Sequence, residues 1–218
     1  TGSVNQACVE AAASEHSKGL LAQAEMADVI MAPAADMFEM GVELQVLKRG
    51  TLFPMRAKKL YELYKNYDSI EEIPLPDRQK LEKQIFHNSL DQIWIKTKEY
   101  FYERDPYQIE RAKDHPKRKM ALIFRWYLGL TSHWSNTGEK GRETDYQIWA
   151  GPAIGAFNNW VKGTYLEDVS QRKTVEVAWH IMIGAAYLCR LRYLQTQGIR
   201  LPFACEGYLP KPFLATPN

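Results

Sequence analysis

Cysteine is scarce in this chain of 218 residues, which carries three. Cys8, Cys189 and Cys205 are too few and too scattered for a disulfide scaffold or a zinc ribbon. That scarcity fits a reducing, cytoplasmic setting. The five histidines show no His-x-x-x-His spacing, and no Cys-x-x-Cys occurs, so no metal site is expected. Long apolar runs are absent as well. The longest uncharged stretch, Val177 to Cys189, has 13 residues, and a spanning helix needs roughly 20, so a buried helix and no membrane contact are expected. Net charge is only +2, which argues against a surface built for nucleic acid. No Gly-x-Ser-x-Gly, Walker loop or Gly-x-Gly-x-x-Gly is found. No basic-then-apolar leader follows Thr1, and no initiator Met precedes it, so the chain reads as starting inside a longer protein.

What remains is an ordinary globular composition, 45% hydrophobic and 25% charged, long enough for one large or two small domains. Helical spacing dominates, and confident strands are nearly absent. Lys18–Ala27 has helical spacing, with Ser14 or Ser17 as its cap. Met26–Pro33 reads as extended structure or a turn, and Asp36–Leu47 as helical. Met55–Tyr67 is amphipathic through Leu60, Leu63, Tyr64 and Tyr67. A long helix is predicted from Asp77 as N-cap to Arg104, and a further one over Lys117–Ser132. His133–Gly151 is aperiodic and reads as a long loop. The last helix is expected over Val169–Gln197, followed by an irregular tail.

Charge is uneven. Residues 48–67 hold six bases against Glu62, and residues 111–125 hold six against Asp114, so each stretch carries +5 and the rest of the chain −8. Such patches suit an anionic partner, or are simply solvated helix faces. For chemistry the candidates are thin. His180 lies on an apolar helix and reads as a core histidine. His133, Tyr127 and Tyr146 are conceivable pocket residues with no motif behind them. Thr1-Gly2-Ser3 could offer backbone N–H groups and a hydroxyl to a phosphate. Ala150-Gly151-Pro152-Ala153-Ile154-Gly155 could face a flat ligand, or be a tight turn packed under a helix.

Several runs together resemble the PfaD family, the flavin enoyl reductase subunits of bacterial polyunsaturated fatty acid synthases and the trans-acting enoyl reductases of polyketide synthases. They are Thr1–Glu10, Met31–Gly41, Gln45–Arg56, Phe124–Leu130 and Asp145–Asn158. The resemblance implies an FMN-bearing (β/α)8 barrel with a large helical insertion. This mainly α chain would hold the end of the last strand (1–35), the insertion (36–145), the final barrel loop and helix (146–200) and a tail (201–218). Phosphate commonly sits at the loops after strands 7 and 8 of such barrels. Thr1, Gly2 and Ser3 inherit that role by resemblance, and Gly151 a place near the flavin, with Pro152 where relatives carry Gln. The implied reaction takes hydride from NADPH or NADH through FMN to an enoyl thioester on an acyl carrier protein. The basic helices, through Lys58, Lys59, Lys117 and Arg118, would dock that carrier. A homodimer is conceivable, and the catalytic proton donor is expected upstream of Thr1. The alternatives are a nitronate-type flavin oxidase and a non-catalytic helical docking module.

Overall fold

A computed structural model of the chain describes residues 2–205 and 207–213. They form two compact units. One joins residues up to Asp28 with those from Ala150 onward, and the other is Val29–Trp149.

The Val29–Trp149 unit opens with two strands, the first within the run expected to be extended or a turn and the second where helix was expected. β1 (Val29–Pro33) and β2 (Glu43–Leu47) pair antiparallel, with Val29 opposite Leu47 and Met31 opposite Gln45. Gly41, at φ +72°, makes the turn before β2, which a side chain would strain. The apolar residues 42, 44 and 46 alternate in a strand's period of two, and Val46 and Leu47 end fully buried. Trp149 extends this hairpin through a bridge to Val46. Residues 29–35 and 146–149 therefore pack in the same unit as the helices.

Helix α3 (Phe53–Asn66) carries Pro54 in its first turn, with Thr51 Oγ1 accepting from Phe53 N at 3.0 Å. The predicted Asp77–Arg104 helix is broken in two. α4 (Leu75–Lys80) runs into a π-turn at Leu81–Phe86, His87 is left-handed at φ +56°, and α5 (Leu90–Arg104) restarts on the cap Ser89. The physical cause is a local competition for backbone groups. Glu82 Oε1 takes the Leu90 N–H at 2.8 Å, and Ser89 Oγ takes that of Gln92. Arg142 collects the Ile85 and Phe86 carbonyls left free by the break. α6 (Pro106–Ala112) and α7 (Pro116–Thr137) follow. α7 runs five residues past Ser132, so His133 stands on a helix, not in a loop. Gly138, at φ +74°, ends it.

The core of this unit is aromatic. Phe38 meets Tyr61 edge-on at 5.5 Å and Phe124 at 6.1 Å, and Phe86 stacks on Phe124 at 6.5 Å. Beside it lies one buried carboxylate. Asp145 accepts from Arg56, from Arg142 Nη1 at 2.9 Å and from Tyr127 Oη at 2.6 Å. Two guanidinium groups around one carboxylate leave that buried charge well partnered.

The other unit contains α1 (Gly2–Gln6), α2 (Glu15–Ala22), α8 (Ala153–Val161) and α9 (Thr174–Thr196). Ser14 is the cap of α2, its oxygen accepting from Ser17 N at 3.3 Å. Gly155 on α8 touches backbone directly. A Cβ there would lie 2.1 Å from Met26 N, so only glycine permits this approach. The interior holds Arg172, 1% exposed, whose Nε donates to Leu166 O at 2.8 Å and Nη1 to Asn158 Oδ1 at 3.0 Å. Asn158 Nδ2 in turn donates to the Leu21 and Ala24 carbonyls. No helix among the described residues is long and apolar enough to cross a membrane.

Candidate functional site

Of the four residues expected to hold a cofactor, Thr1 lies outside the described residues. The other three converge. Gly2 and Ser3 form the opening turn of α1, and the Gly151 N–H donates to Ser3 Oγ at 2.9 Å across 148 positions of sequence. The first N–H groups of a helix have no partner within it, so donors are concentrated at this turn. Gly2 is exposed, with open space where a Cβ would be. Ser3 is half-buried and keeps its own hydroxyl proton for a further acceptor, because it receives the Gly151 amide on its oxygen. Pro152 caps α8 without a side-chain hydrogen bond. The Ala150–Gly155 run thus divides: Gly151 faces the turn of α1, whereas Gly155 is a packing residue.

The neighbouring cleft of about 590 Å³ between residues 22–27 and α8 is less informative. Two of its polar groups, Asn158 and Arg172, already satisfy one another and nearby carbonyls. Desolvation lowers the Arg172 pKa.

Of the conceivable pocket residues, Tyr127 and Tyr146 are held by structural hydrogen bonds, and His133 is exposed on α7. Tyr127 is fully buried on Asp145, and burial followed by that carboxylate pushes its phenol well above the ordinary value. Tyr146 donates to Glu139 O at 3.0 Å. His180 is 2% exposed, as a core histidine should be, between Tyr165 (Nε2 to Oη, 2.9 Å) and Tyr208 (Nδ1 to Oη, 2.7 Å). Burial lowers its pKa.

The basic helices also sort themselves. Lys117, expected on a docking face, has its ammonium on the Tyr64 and Tyr67 carbonyls at the end of α3 and 4.4 Å over the Tyr64 ring. Its charge serves the helix terminus. Lys119 pairs with Glu71 at 3.1 Å, and Arg56 is committed to Asp145. Lys58, Lys59, Arg111 and Arg118 make no hydrogen bond or ion pair among the described residues.

One organised feature escaped the sequence reading. Buried Gln147, with its amide nitrogen toward Leu128 O (3.0 Å) and Thr131 Oγ1 (3.1 Å), accepts from Trp149 Nε1 at 2.8 Å. Trp149 is nonetheless 52% exposed, an indole held in place with its face open. Alternation of polar and apolar residues at 145–148 was its only sequence signal.

Comparison with known proteins places this geometry in a context. Residues 67–146 match the family described as acyl-carrier-protein S-malonyltransferase, inserted helical domain. The chain is 50% identical over 200 residues to a polyunsaturated fatty acid synthase polypeptide of Thraustochytrium sp., covering 89% of the chain and 13% of that protein. It is 45% identical to the polyketide biosynthesis protein PksE of Bacillus subtilis, covering 88% of the chain and 25% of the relative. Its fold matches the crystal structure of the enoyl reductase domain of MlnA, from the macrolactin biosynthesis cluster of Bacillus amyloliquefaciens. That match has a TM-score of 0.82 and 37% identity, over 89% of this chain and 44% of that one. The homologues are therefore components of polyunsaturated fatty acid synthases and polyketide biosynthesis proteins. This chain spans only a part of each, at most a quarter of these two curated relatives.

Proposed function

We propose that this chain is part of an FMN-dependent enoyl reductase of the PfaD family, acting on enoyl thioesters in polyunsaturated fatty acid or polyketide synthesis. The observation that carries the reading is the match at 37% identity and TM-score 0.82 to an enoyl reductase domain. The turn of Gly2 and Ser3 fits the phosphate of FMN in its chemistry: an exposed glycine without a Cβ, backbone N–H donors and a serine hydroxyl. In this role Gly2 and Ser3 donate to the phosphate, and the Gly151 amide holds the Ser3 oxygen in place. The (β/α)8 barrel belongs to the same proposal. Bound FMN would supply the redox chemistry, relaying hydride from NADPH or NADH to the β-carbon of the thioester. A proton at the α-carbon completes the reduction, and Tyr127 and Tyr146 already give their hydroxyl protons to Asp145 and the Glu139 carbonyl. The substrate would arrive on an acyl carrier protein, as the synthase context of the homologues supports.

The test is the visible spectrum of the complete protein that contains this chain. A flavin band bleached by NADPH and restored by an enoyl thioester under anaerobic conditions is the expected result. Restoration by oxygen alone would replace the reading with an oxidase, and a protein that takes up no FMN would replace it with a docking module.

A further inference from the structure

Helix α7 carries a stripe that the proposed chemistry has not used. Arg118, Leu122, Arg125, Gly129 and Ser132 recur at spacings of four and three, so they share one face of the helix. Two clefts lie along it. A polar one of about 220 Å³ is lined by Arg111, Arg118, Arg125, Gln108, Asp36 and Glu39. A mostly apolar one of about 430 Å³ is lined by Leu128, Gly129, Ser132, Leu44 and Trp149, and it also touches Asp36. The two meet at Asp36, between α7 and the segment joining β1 to β2. Arg125 spans that junction, its Nε donating to Ala35 O at 3.1 Å and its Nη1 lying 3.5 Å from Glu39.

The charge balance of the polar cleft points to an anion. Glu39 faces Arg125, whereas Arg111 and Arg118 pair with no carboxylate of the described residues. Three guanidinium groups against two carboxylates leave the cleft cationic, and guanidinium is the group best matched to phosphate oxygens. At the far end Trp149 presents a fixed, half-exposed indole over apolar walls. From Arg118 to Ser132 the helix rises about 21 Å. The two clefts thus form a groove along α7 that the Arg125 side chain crosses at its middle, cationic on one side and mostly apolar on the other.

We propose that this groove binds a phosphopantetheinyl thioester, with the phosphodiester on Arg111 and Arg118 and the pantetheine arm and acyl group running along α7 towards Trp149. Such an arm has this same polarity, an anionic phosphate at one end and an uncharged chain leading to the thioester at the other. The inference rests on the enoyl reductase reading for its substrate class, but the groove can be tested apart from it.

Binding of 4′-phosphopantetheine, pantetheine, inorganic phosphate and NADPH is measured by calorimetry on the complete protein, as wild type and as R111E/R118E. Neither arginine is buried, so the double variant should keep the wild-type melting temperature. Phosphopantetheine should bind about tenfold or more tightly than pantetheine, and the double variant should bring that ratio close to one. W149A should weaken the two pantetheine ligands alike and keep the ratio. A ratio unchanged in R111E/R118E would overturn the site. So would inorganic phosphate that competes as well as phosphopantetheine, or NADPH that depends on these arginines when phosphopantetheine does not. If the ratio behaves as expected but no enoyl thioester is reduced, the groove stands and the reductase reading falls. If reduction proceeds with an unchanged KM for a phosphopantetheinyl substrate in the double variant, the reductase stands and the groove falls.

Discussion

The two longest helices belong to different units and use their residues in opposite ways. α7 buries eleven of its 22 residues and presents its arginines on one stripe, an ordinary amphipathic design. α9 has 23 residues, of which only Val177, His180, Gly184 and Leu191 are buried. Val175, Trp179 and Met182 are more than half exposed, so its apolar residues encircle the helix. The interiors differ in kind as well. The Val29–Trp149 unit neutralises its buried charge, with Asp145 between two arginines. The other unit solvates its buried charge, holding Arg172 with a carbonyl and an amide oxygen. Removing one member of a neutralised cluster strands a charge, whereas removing a guanidinium held by neutral acceptors strands only dipoles.

That contrast orders the expected effects of mutation. Asp145→Ala should cost most, about 3–5 kcal/mol, because Arg56 and Arg142 are left without their counter-charge. Chemical denaturation followed by far-UV circular dichroism would show it, and a loss under about 1 kcal/mol would contradict the neutralised-core account. Gly155→Ala should cost about 1–3 kcal/mol in the other unit by forcing α8 away from Met26. Arg172→Met, of similar volume, should cost about 1–3 kcal/mol through the unpaired Leu166 carbonyl and Asn158 amide. An effect as large as that at Asp145 would erase the distinction between the two interiors. Ser3→Ala should change stability by less than about 1 kcal/mol, yet weaken FMN binding to the complete protein about tenfold, as read by fluorescence titration.

The smallest effect is one of pH. His180 is held neutral, with its pKa below the ordinary 6.5, chiefly by burial and despite Glu176 nearby. Between that lowered value and about 6.5 the unfolded chain binds the extra proton. Stability is therefore complete above about pH 6.5 and declines as pH falls towards the folded-state value. H180Q should flatten this part of the profile in a pH series of denaturation curves, leaving only the carboxylate region below it.

Much of the helical framework was legible because periodicity and punctuation agreed. Met55–Tyr67 corresponds to α3, and Ser14 caps α2 as its residue type suggests. The failures have a common cause. Asp36–Leu47 carries apolar residues at spacings that suit either period, and only pairing with β1 chose the strand. The break at His87–Ser89 lay hidden within an apolar pattern, since its free carbonyls are rescued by Arg142, 56 positions away. Lys117 looked like a docking residue because no local rule shows that its ammonium ends α3. The candidate site was partly legible. Gly2, Ser3 and Gly151 were singled out by residue type and resemblance, but the hydrogen bond that joins Gly151 to Ser3 was not.

Local chemistry acts through neighbours in the chain, so helix periods, caps, proline starts and glycine stops could be read from residue order. It also showed where positive charge accumulates. Which of those charges are spent inside, as at Arg56 and Lys117, and which stay open, as at Arg111 and Arg118, depends on groups dozens of residues away. Burial makes that choice. A cation excluded from water must take the partner that packing brings to it, and packing is a property of the folded chain.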